Sequence, residues 1–143
     1  MTQMKLGFWK VDITPPLGTE LGGYAGYRPC KGVHDPLHCR AVVLEQEGAR
    51  YALVQLELMC VDEALHARIA QAVQPLGIGK ECLIVCAIHS HAAPQGSIPG
   101  EGPLDPVNNS CIVNKEAFAD YMRSVVAAAA HACKEATARL EAF

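Results

Sequence analysis

An apolar run over residues 82–88, followed at once by His89 and His91, constrains the fold of this chain more than any other feature. An unbroken apolar run of this length is typical of a central strand that is covered on both faces. Such a strand needs other elements packed against it, and the chain is therefore predicted to form a layered α/β structure.

The periodicity of the remaining segments predicts the other elements of the domain. Apolar residues at steps of four, Val61, Leu65, Ile69 and Val73, predict a helix that ends near Pro75. Asn114 can cap a long second helix. We predict strands over residues 6–13, 37–45, 51–58 and 82–88, and the second helix over residues 115–140. The order β-β-β-α-β-α predicts an α/β fold, a mixed β-sheet covered by helices, with residues 1–143 forming a single domain.

The segment from residue 92 to residue 114 lacks any periodicity and is rich in glycine and proline. A loop of this length in a compact domain often borders a ligand site. Its position after the two histidines makes this one of two interpretations, and it would place part of residues 98–106 near His89 or Glu57. The alternative is a solvated connector that only reaches the second helix.

Composition excludes several functional classes. The chain of 143 residues has 12 Lys and Arg against 15 Asp and Glu, so no nucleic-acid partner is expected. No apolar stretch approaches the ~20 residues of a transmembrane helix, and no apolar signal core follows Met1. We therefore expect a cytoplasmic protein. The 7 cysteines are odd in number and contain no Cys-x-x-Cys pair, which favours reduced structural thiols.

Candidate site residues cluster around the predicted strand end. If that strand continued, His89 and His91 would project from the same face, where two imidazoles can bind Zn²⁺. The pair could equally be surface residues or hydrogen-bonded loop residues. Glu57 is either a buried group with a partner or an exposed edge residue, and a glutamate there could orient a metal ligand. His34 could approach the same edge of the sheet.

Three blocks of the sequence resemble the neutral/alkaline non-lysosomal ceramidase family. They occur in the family's order and together reach across almost the whole chain. The blocks are Asp12-Ile13-Thr14-Pro15-Pro16-Leu17-Gly18 with Leu21-Gly22-Gly23-Tyr24, then Gly32-Val33-His34-Asp35-Pro36-Leu37-His38-Cys39-Arg40-Ala41, then Leu83-Ile84-Val85-Cys86-Ala87-Ile88-His89-Ser90-His91.

The resemblance implies a zinc-dependent amidohydrolase that hydrolyses an N-acyl amide bond. His89 then inherits the role of a zinc ligand, and His91 a catalytic role or one beside the metal. The sequence departs from the family in having Ala92-Ala93-Pro94 after the histidines. The family's other zinc ligands come from later segments, so the resemblance implies an N-terminal part of the ceramidase-like domain that is inactive alone.

Two further interpretations stay open. The chain could be a free-standing domain of the same ancestry that binds a ligand or partner without catalysis. It could instead be a cysteine-based or purely structural oligomer module in which the histidine pair is incidental. The expected partners are a small-molecule or lipid-amide substrate, together with either the missing C-terminal portion or a second copy of the chain, bound through an apolar patch.

Overall fold

Five strands and two helices form the domain in the computed structural model, which describes residues 3–101 and 112–142. The order β-β-β-α-β-α is confirmed, and a short fifth strand follows the second helix. The elements are β1 Lys5–Asp12, β2 His38–Gln46, β3 Ala49–Leu56, α1 Glu63–Val73, two single-turn 3₁₀ helices Gln74–Leu76 and Lys80–Cys82, β4 Leu83–Ala87, α2 Lys115–Thr137 and β5 Glu141–Ala142.

The strands form one mixed sheet in the order β4-β3-β2-β1-β5. Only the β3–β4 pair is parallel, with Ala52 opposite Leu83, and the other pairs are antiparallel. The β2–β3 hairpin turns at Glu47 and Gly48, whose φ values of 53° and 81° are those that a two-residue hairpin turn requires. The α-helical crossover is what allows β4 to run parallel to β3.

Strand β4 lies at the edge of the sheet, so the prediction of a central strand covered on both faces is wrong. β3 is its only partner among the described residues. Ile84 is 64% exposed, whereas its neighbour Leu83 is buried against the core. An apolar run indicates that a strand has apolar surroundings on both faces, but it does not say whether those surroundings belong to the same chain.

Both helices cover one face of the sheet. Helix α2 packs on β1 and β2, and α1 packs against α2. Asn114 caps α2 as predicted, since its side chain accepts a hydrogen bond from the Ala117 amide. The Tyr121 hydroxyl donates to the Ile13 carbonyl at 2.7 Å, which ties α2 to the end of β1. The core between these layers includes Leu56, Leu65, Ile69, Val73, Phe118, Met122 and Val125.

The opposite face of the sheet is largely uncovered in the described parts of the chain. Side chains alternate across a strand, so this face collects every second residue of each strand. The residues on it with large exposed apolar side chains are Leu6, Phe8, Tyr51, Leu53 and Ile84, which we call the open face. Exposed apolar surface of this extent is typical of a contact surface rather than of a free surface.

No disulfide joins the six cysteines within residues 3–101 and 112–142, and Cys111 lies outside those ranges. Burial raises the pKa of the Cys39 thiol to about 12 and that of Cys133 to about 11. Both groups are therefore protonated and unreactive at neutral pH, as expected of thiols that serve as small core residues.

No helix among the described residues is long and apolar enough to cross a lipid bilayer.

Gly7 allows α2 to lie directly on β1. A Cβ atom at this position would stand 1.9 Å from the Ala136 carbonyl oxygen of α2. We expect Gly7→Ala to lower the free energy of unfolding by about 1–3 kcal/mol, because the helix backbone must move away from the sheet. Chemical denaturation measures this change. The matched control is Gly32→Ala, where a Cβ meets no atom within 4 Å and should change stability by less than about 0.5 kcal/mol. Equal effects in the two variants would contradict this packing.

Candidate metal-binding site

The hydrogen bonds between β3 and β4 continue beyond the last residue of each strand. The Ile88 amide donates to the Leu56 carbonyl at 3.1 Å, and the Ser90 amide donates to the Leu58 carbonyl at 3.2 Å. These two bonds hold the backbone on either side of His89 against the end of β3. The position of the histidine pair is thereby fixed relative to the sheet.

His89 adopts a left-handed backbone conformation, with φ of 64°. Few residues other than glycine do so, and such strained residues are concentrated at functional sites. Its ring Nδ1 lies 2.8 Å from the Met59 carbonyl oxygen. A carbonyl can only accept a hydrogen bond, so Nδ1 carries the proton. In the neutral ring, Nε2 is then unprotonated and offers its lone pair to a metal ion or a hydrogen-bond donor.

The rings of His89 and His91 lie side by side, as the sequence predicts, although not for the predicted reason. Their Nε2 atoms are 3.4 Å apart, and the ring planes meet at 78° with centroids 5.0 Å apart. The prediction assumed a continuing strand with alternate side chains on one face. β4 ends at Ala87, and the left-handed residue His89 turns the chain so that the two rings meet.

The separation of the two nitrogens suits a shared metal ion. Two nitrogens bound to one tetrahedral Zn²⁺ at ~2.0–2.1 Å stand about 3.3–3.4 Å apart, which matches the distance between His89 and His91. The Met59 carbonyl supplies the outer hydrogen bond that metal-binding histidines usually make through the other ring nitrogen. Among the residues described, however, no group of three or more potential metal ligands occurs. The same 3.4 Å separation is that of a hydrogen bond between the two rings, so the described residues show a histidine pair and no complete metal centre.

Two residues at the site were not singled out by the sequence reasoning. Met59 acts through its backbone carbonyl, which no side-chain pattern can reveal. Tyr24 packs edge-to-face on His91, with ring centroids 5.1 Å apart. It belongs to the glycine-rich loop between β1 and β2, which contains Gly18, Gly22, Gly23 and Gly26. The signal that could have identified Tyr24 is the dipeptide Gly22-Gly23 before it, since consecutive glycines allow a close backbone approach.

Glu57 belongs to a separate charged cluster at the end of β3. Its carboxylate accepts hydrogen bonds from the Arg40 guanidinium at 2.5 Å and from the His38 backbone amide at 2.6 Å. The His38 ring Nδ1 lies 3.3 Å away. Burial raises the pKa of Glu57, but Arg40 and the His38 amide together hold this pKa below its ordinary value. Glu57 is therefore partly buried and has partners, and among the described residues no hydrogen bond or ion pair joins it to the histidine pair.

His34 is not brought to the site. Its side chain is 97% exposed, and its Nδ1 lies 2.7 Å from the neighbouring Asp35 carboxylate. The loop that carries it returns to the end of β1 at Leu37, whose carbonyl accepts a hydrogen bond from the Ile13 amide at 2.8 Å. His34 precedes β2 closely in the sequence, but its exposed loop does not bring it to the edge of the sheet that carries the histidine pair.

The start of the predicted loop is packed beside the site. Residues 93–97 are buried, and their carbonyls accept hydrogen bonds from the Gly22, Met59 and Asp62 amides at 2.8–3.0 Å. Gly96 passes so close to Cys60 that a Cβ would stand 2.0 Å from its carbonyl oxygen. Ile98 packs on the core rather than against the histidines. Residues 102–106 of the predicted site-bordering segment lie outside the described residues.

The fold has counterparts among solved structures. One is neutral ceramidase from Pseudomonas aeruginosa, with a TM-score of 0.79 and 21% sequence identity over 99% of this chain. The chain shares its fold with neutral ceramidase. A second structure, a ceramidase complexed with C2, gives a TM-score of 0.79 at 22% identity, again over 99% of this chain. No protein-family model and no curated protein matches the sequence.

The ceramidase likeness covers only part of the longer proteins. This chain spans 22% of the length of each of the two ceramidase chains. The resemblance stated from the three sequence blocks is confirmed at the level of the fold, which corresponds to a part of each of the longer ceramidase chains.

A glutamine substitution tests whether Glu57 serves stability or the histidine pair. Glu57→Gln should lower the free energy of unfolding at pH 7 by about 1–3 kcal/mol, because Arg40 loses its charged acceptor. Since the folded-state pKa of Glu57 lies below its ordinary value of 4.5, this contribution is complete above that pH. It disappears as the pH falls through the folded-state pKa, where the variant and the unaltered protein should converge.

Denaturant melts between pH 3 and pH 7 measure this effect, with the exposed Glu81→Gln as the control. Zn²⁺ affinity should be the same in Glu57→Gln as in the unaltered chain. A variant with unchanged stability and lost Zn²⁺ affinity would contradict the separation of the two clusters.

Proposed function

We propose that this chain is the N-terminal portion of a zinc-dependent amidohydrolase that resembles neutral ceramidase and hydrolyses an N-acyl amide bond. The observation that carries the proposal is the convergence of the His89 and His91 Nε2 atoms to 3.4 Å. It occurs in a chain that shares its fold with neutral ceramidase. The residue pair also matches the His-x-His block of the ceramidase family in sequence.

His89 would hold the metal ion through Nε2. Its Nδ1 proton is committed to the Met59 carbonyl, so the ring is already in the tautomer that metal binding requires. When bound, zinc polarises an amide carbonyl and makes a water molecule more acidic. In the isolated chain, Nε2 of His91 would be the second ligand. In the completed enzyme, where other segments would supply the remaining ligands, His91 would stand beside the ion with its Nε2 unbound, where it could accept and return a proton during cleavage of the amide.

Two nitrogen ligands support a half-site rather than a working enzyme. Catalytic zinc usually has three protein ligands and one open position, and the described residues bring together only two. We therefore infer that the isolated chain binds Zn²⁺ weakly and does not hydrolyse ceramide. The remaining ligands would come from a segment outside this sequence.

The same missing segment is the partner that we propose for the open face. His89 and His91 follow β4 directly, and β4 lies at the edge of the sheet. Ile84 on that edge is the most exposed apolar side chain of the open face. A segment that paired with β4 and covered Ile84 would also stand next to the histidines, where it could supply ligands. If the purified chain associates with itself through the open face, the partner of that face is a second copy of the chain and not the missing segment.

A free-standing binding domain without catalysis is the second candidate, and the absence of a third ligand among the described residues favours it. The sequence of the adjoining DNA distinguishes the two. A neighbouring reading frame with histidine, glutamate and tyrosine ligands supports the divided or truncated enzyme, and its absence supports the binding domain. We propose a cytoplasmic location in either case, since free buried thiols such as Cys39 and Cys133 suit a reducing compartment.

Calorimetric titration of the purified chain with Zn²⁺ tests the metal site. We expect one weak site, because two imidazoles give far less binding free energy than a closed four-ligand site. His89→Ala should abolish binding, whereas His131→Ala, an exposed histidine on α2, should leave it unchanged. Equal Zn²⁺ affinity in the two variants would contradict the site. If the chain with stoichiometric zinc hydrolysed ceramide, the inference that its zinc site is incomplete would be contradicted.

A further inference from the structure

The glycine-rich loop between β1 and β2 lies directly on the ring of His91. Gly23 has φ of 87°, and a Cβ atom built there would stand 2.5 Å from His91 Nδ1, 2.7 Å from Cγ and 2.8 Å from Cε1. These distances leave no space for any side chain. The backbone of Gly23 therefore contacts the face of the imidazole ring, and only glycine permits this contact.

Tyr24 contacts the same ring with a different geometry. The Tyr24 and His91 rings are nearly perpendicular, at 82°, with centroids 5.1 Å apart. The Arg28 guanidinium carbon lies 4.2 Å from the centroid of Tyr24, in a cation–π contact. The side chains of Arg28, Tyr24 and His91 thus form a row of contacts that ends at the histidine pair.

The loop is anchored at its base, so it can hold a ring in place. The Leu21 amide donates to the Arg28 carbonyl at 2.8 Å, which closes the loop. The Gly22 amide donates to the Ala93 carbonyl at 2.9 Å, two residues after His91. The buried Glu20 carboxylate accepts from the backbone amides of Val113 and Asn114 at 2.9 Å, which fixes the loop to the start of α2.

His91 needs such support because it lies outside every strand and helix. A solvent-accessible imidazole on a turn can rotate about two side-chain bonds, and rotation would carry Nε2 away from His89. His89 has its own constraint in the Met59 carbonyl. The contacts that restrain the ring of His91 on its other sides come from Gly23 and Tyr24.

We propose that Gly23 and Tyr24 are positioning residues that fix the His91 ring so that its Nε2 faces Nε2 of His89. The role of His91 at a metal site rests on the proposed function, but the positioning of its ring does not. Gly23 acts by excluding every rotamer that would bring the ring closer to the loop. Tyr24, supported by Arg28, closes the path by which the ring could swing outward.

Gly26 supplies a closely matched control for Gly23. It lies in the same loop with the same φ of 87°, but a Cβ there would meet no atom within 4 Å. Alanine at either position imposes the same backbone strain. Only Gly23→Ala also forces a methyl group into the space of the His91 ring. Any difference between the two variants therefore reports the contact with His91.

The experiment uses two readouts on Gly23→Ala, Gly26→Ala and the unaltered chain. The first is the rate at which diethyl pyrocarbonate modifies His91, resolved by mass spectrometry and referred to the exposed His34 of the same molecule. The second is Zn²⁺ affinity by calorimetry. We expect Gly23→Ala to change the His91 rate several-fold and to weaken Zn²⁺ binding by about 10-fold to 100-fold, with Gly26→Ala close to the unaltered chain in both readouts.

Substitutions at Tyr24 keep the test decisive if Gly23→Ala does not fold. Tyr24 is exposed, so its variants should fold. Tyr24→Ala should speed His91 modification, whereas Tyr24→Phe retains the ring that contacts His91 and should speed the modification less. The proposal would be overturned if Gly23→Ala behaved as Gly26→Ala does in both readouts. It would also be overturned if His91 were modified at the same rate in Tyr24→Ala and in Tyr24→Phe. If the unaltered chain binds no Zn²⁺, the metal function fails, and the modification rates alone decide the positioning.

Discussion

The parallel ladder between β3 and β4 does not stop where the strands end, and the histidine site depends on this extension. The Ile88 amide donates to the carbonyl of the last β3 residue, Leu56, and the Ser90 amide donates to the carbonyl of Leu58, two residues further on. Between these two bonds His89 adopts its left-handed conformation. The Met59 carbonyl, on the same extension of β3, then receives the His89 ring. Backbone pairing of two strands thus sets both the place and the tautomer of the candidate metal ligand.

The surroundings of the site come from segments that carry no regular structure. Gly22 and Gly23 let the loop after β1 approach the histidines, and the buried residues 93–97 run beside Met59. These segments are held by backbone hydrogen bonds rather than by apolar contacts alone. Next to β4, the side chains of Ile84 and Ile88 are exposed among the described residues.

Sequence periodicity predicted the helices, four strands and the mixed sheet, because amphipathic repeats directly record which face of an element is buried. It wrongly predicted that β4 is a central strand of the sheet. The residues from 82 to 88 would be apolar whether the layer that covers them belonged to this chain or to another chain. The convergence of His89 and His91 was predicted from the alternation of side chains along a strand. The left-handed backbone conformation of His89 produces it instead. The partners of Glu57 and the role of the Met59 carbonyl depend on strand register and on backbone atoms, which leave no pattern in the sequence.

The protonation of the His89 ring tests the account most directly, because a ligand for zinc must offer Nε2 unprotonated. A long-range ¹H–¹⁵N correlation spectrum of the metal-free chain, recorded well above the ordinary imidazole pKa of about 6.5, identifies which ring nitrogen carries the proton. The structure predicts a protonated Nδ1 and an unprotonated Nε2 for His89, held by the Met59 carbonyl. A protonated Nε2, or rapid exchange between both tautomers, would contradict the proposed site.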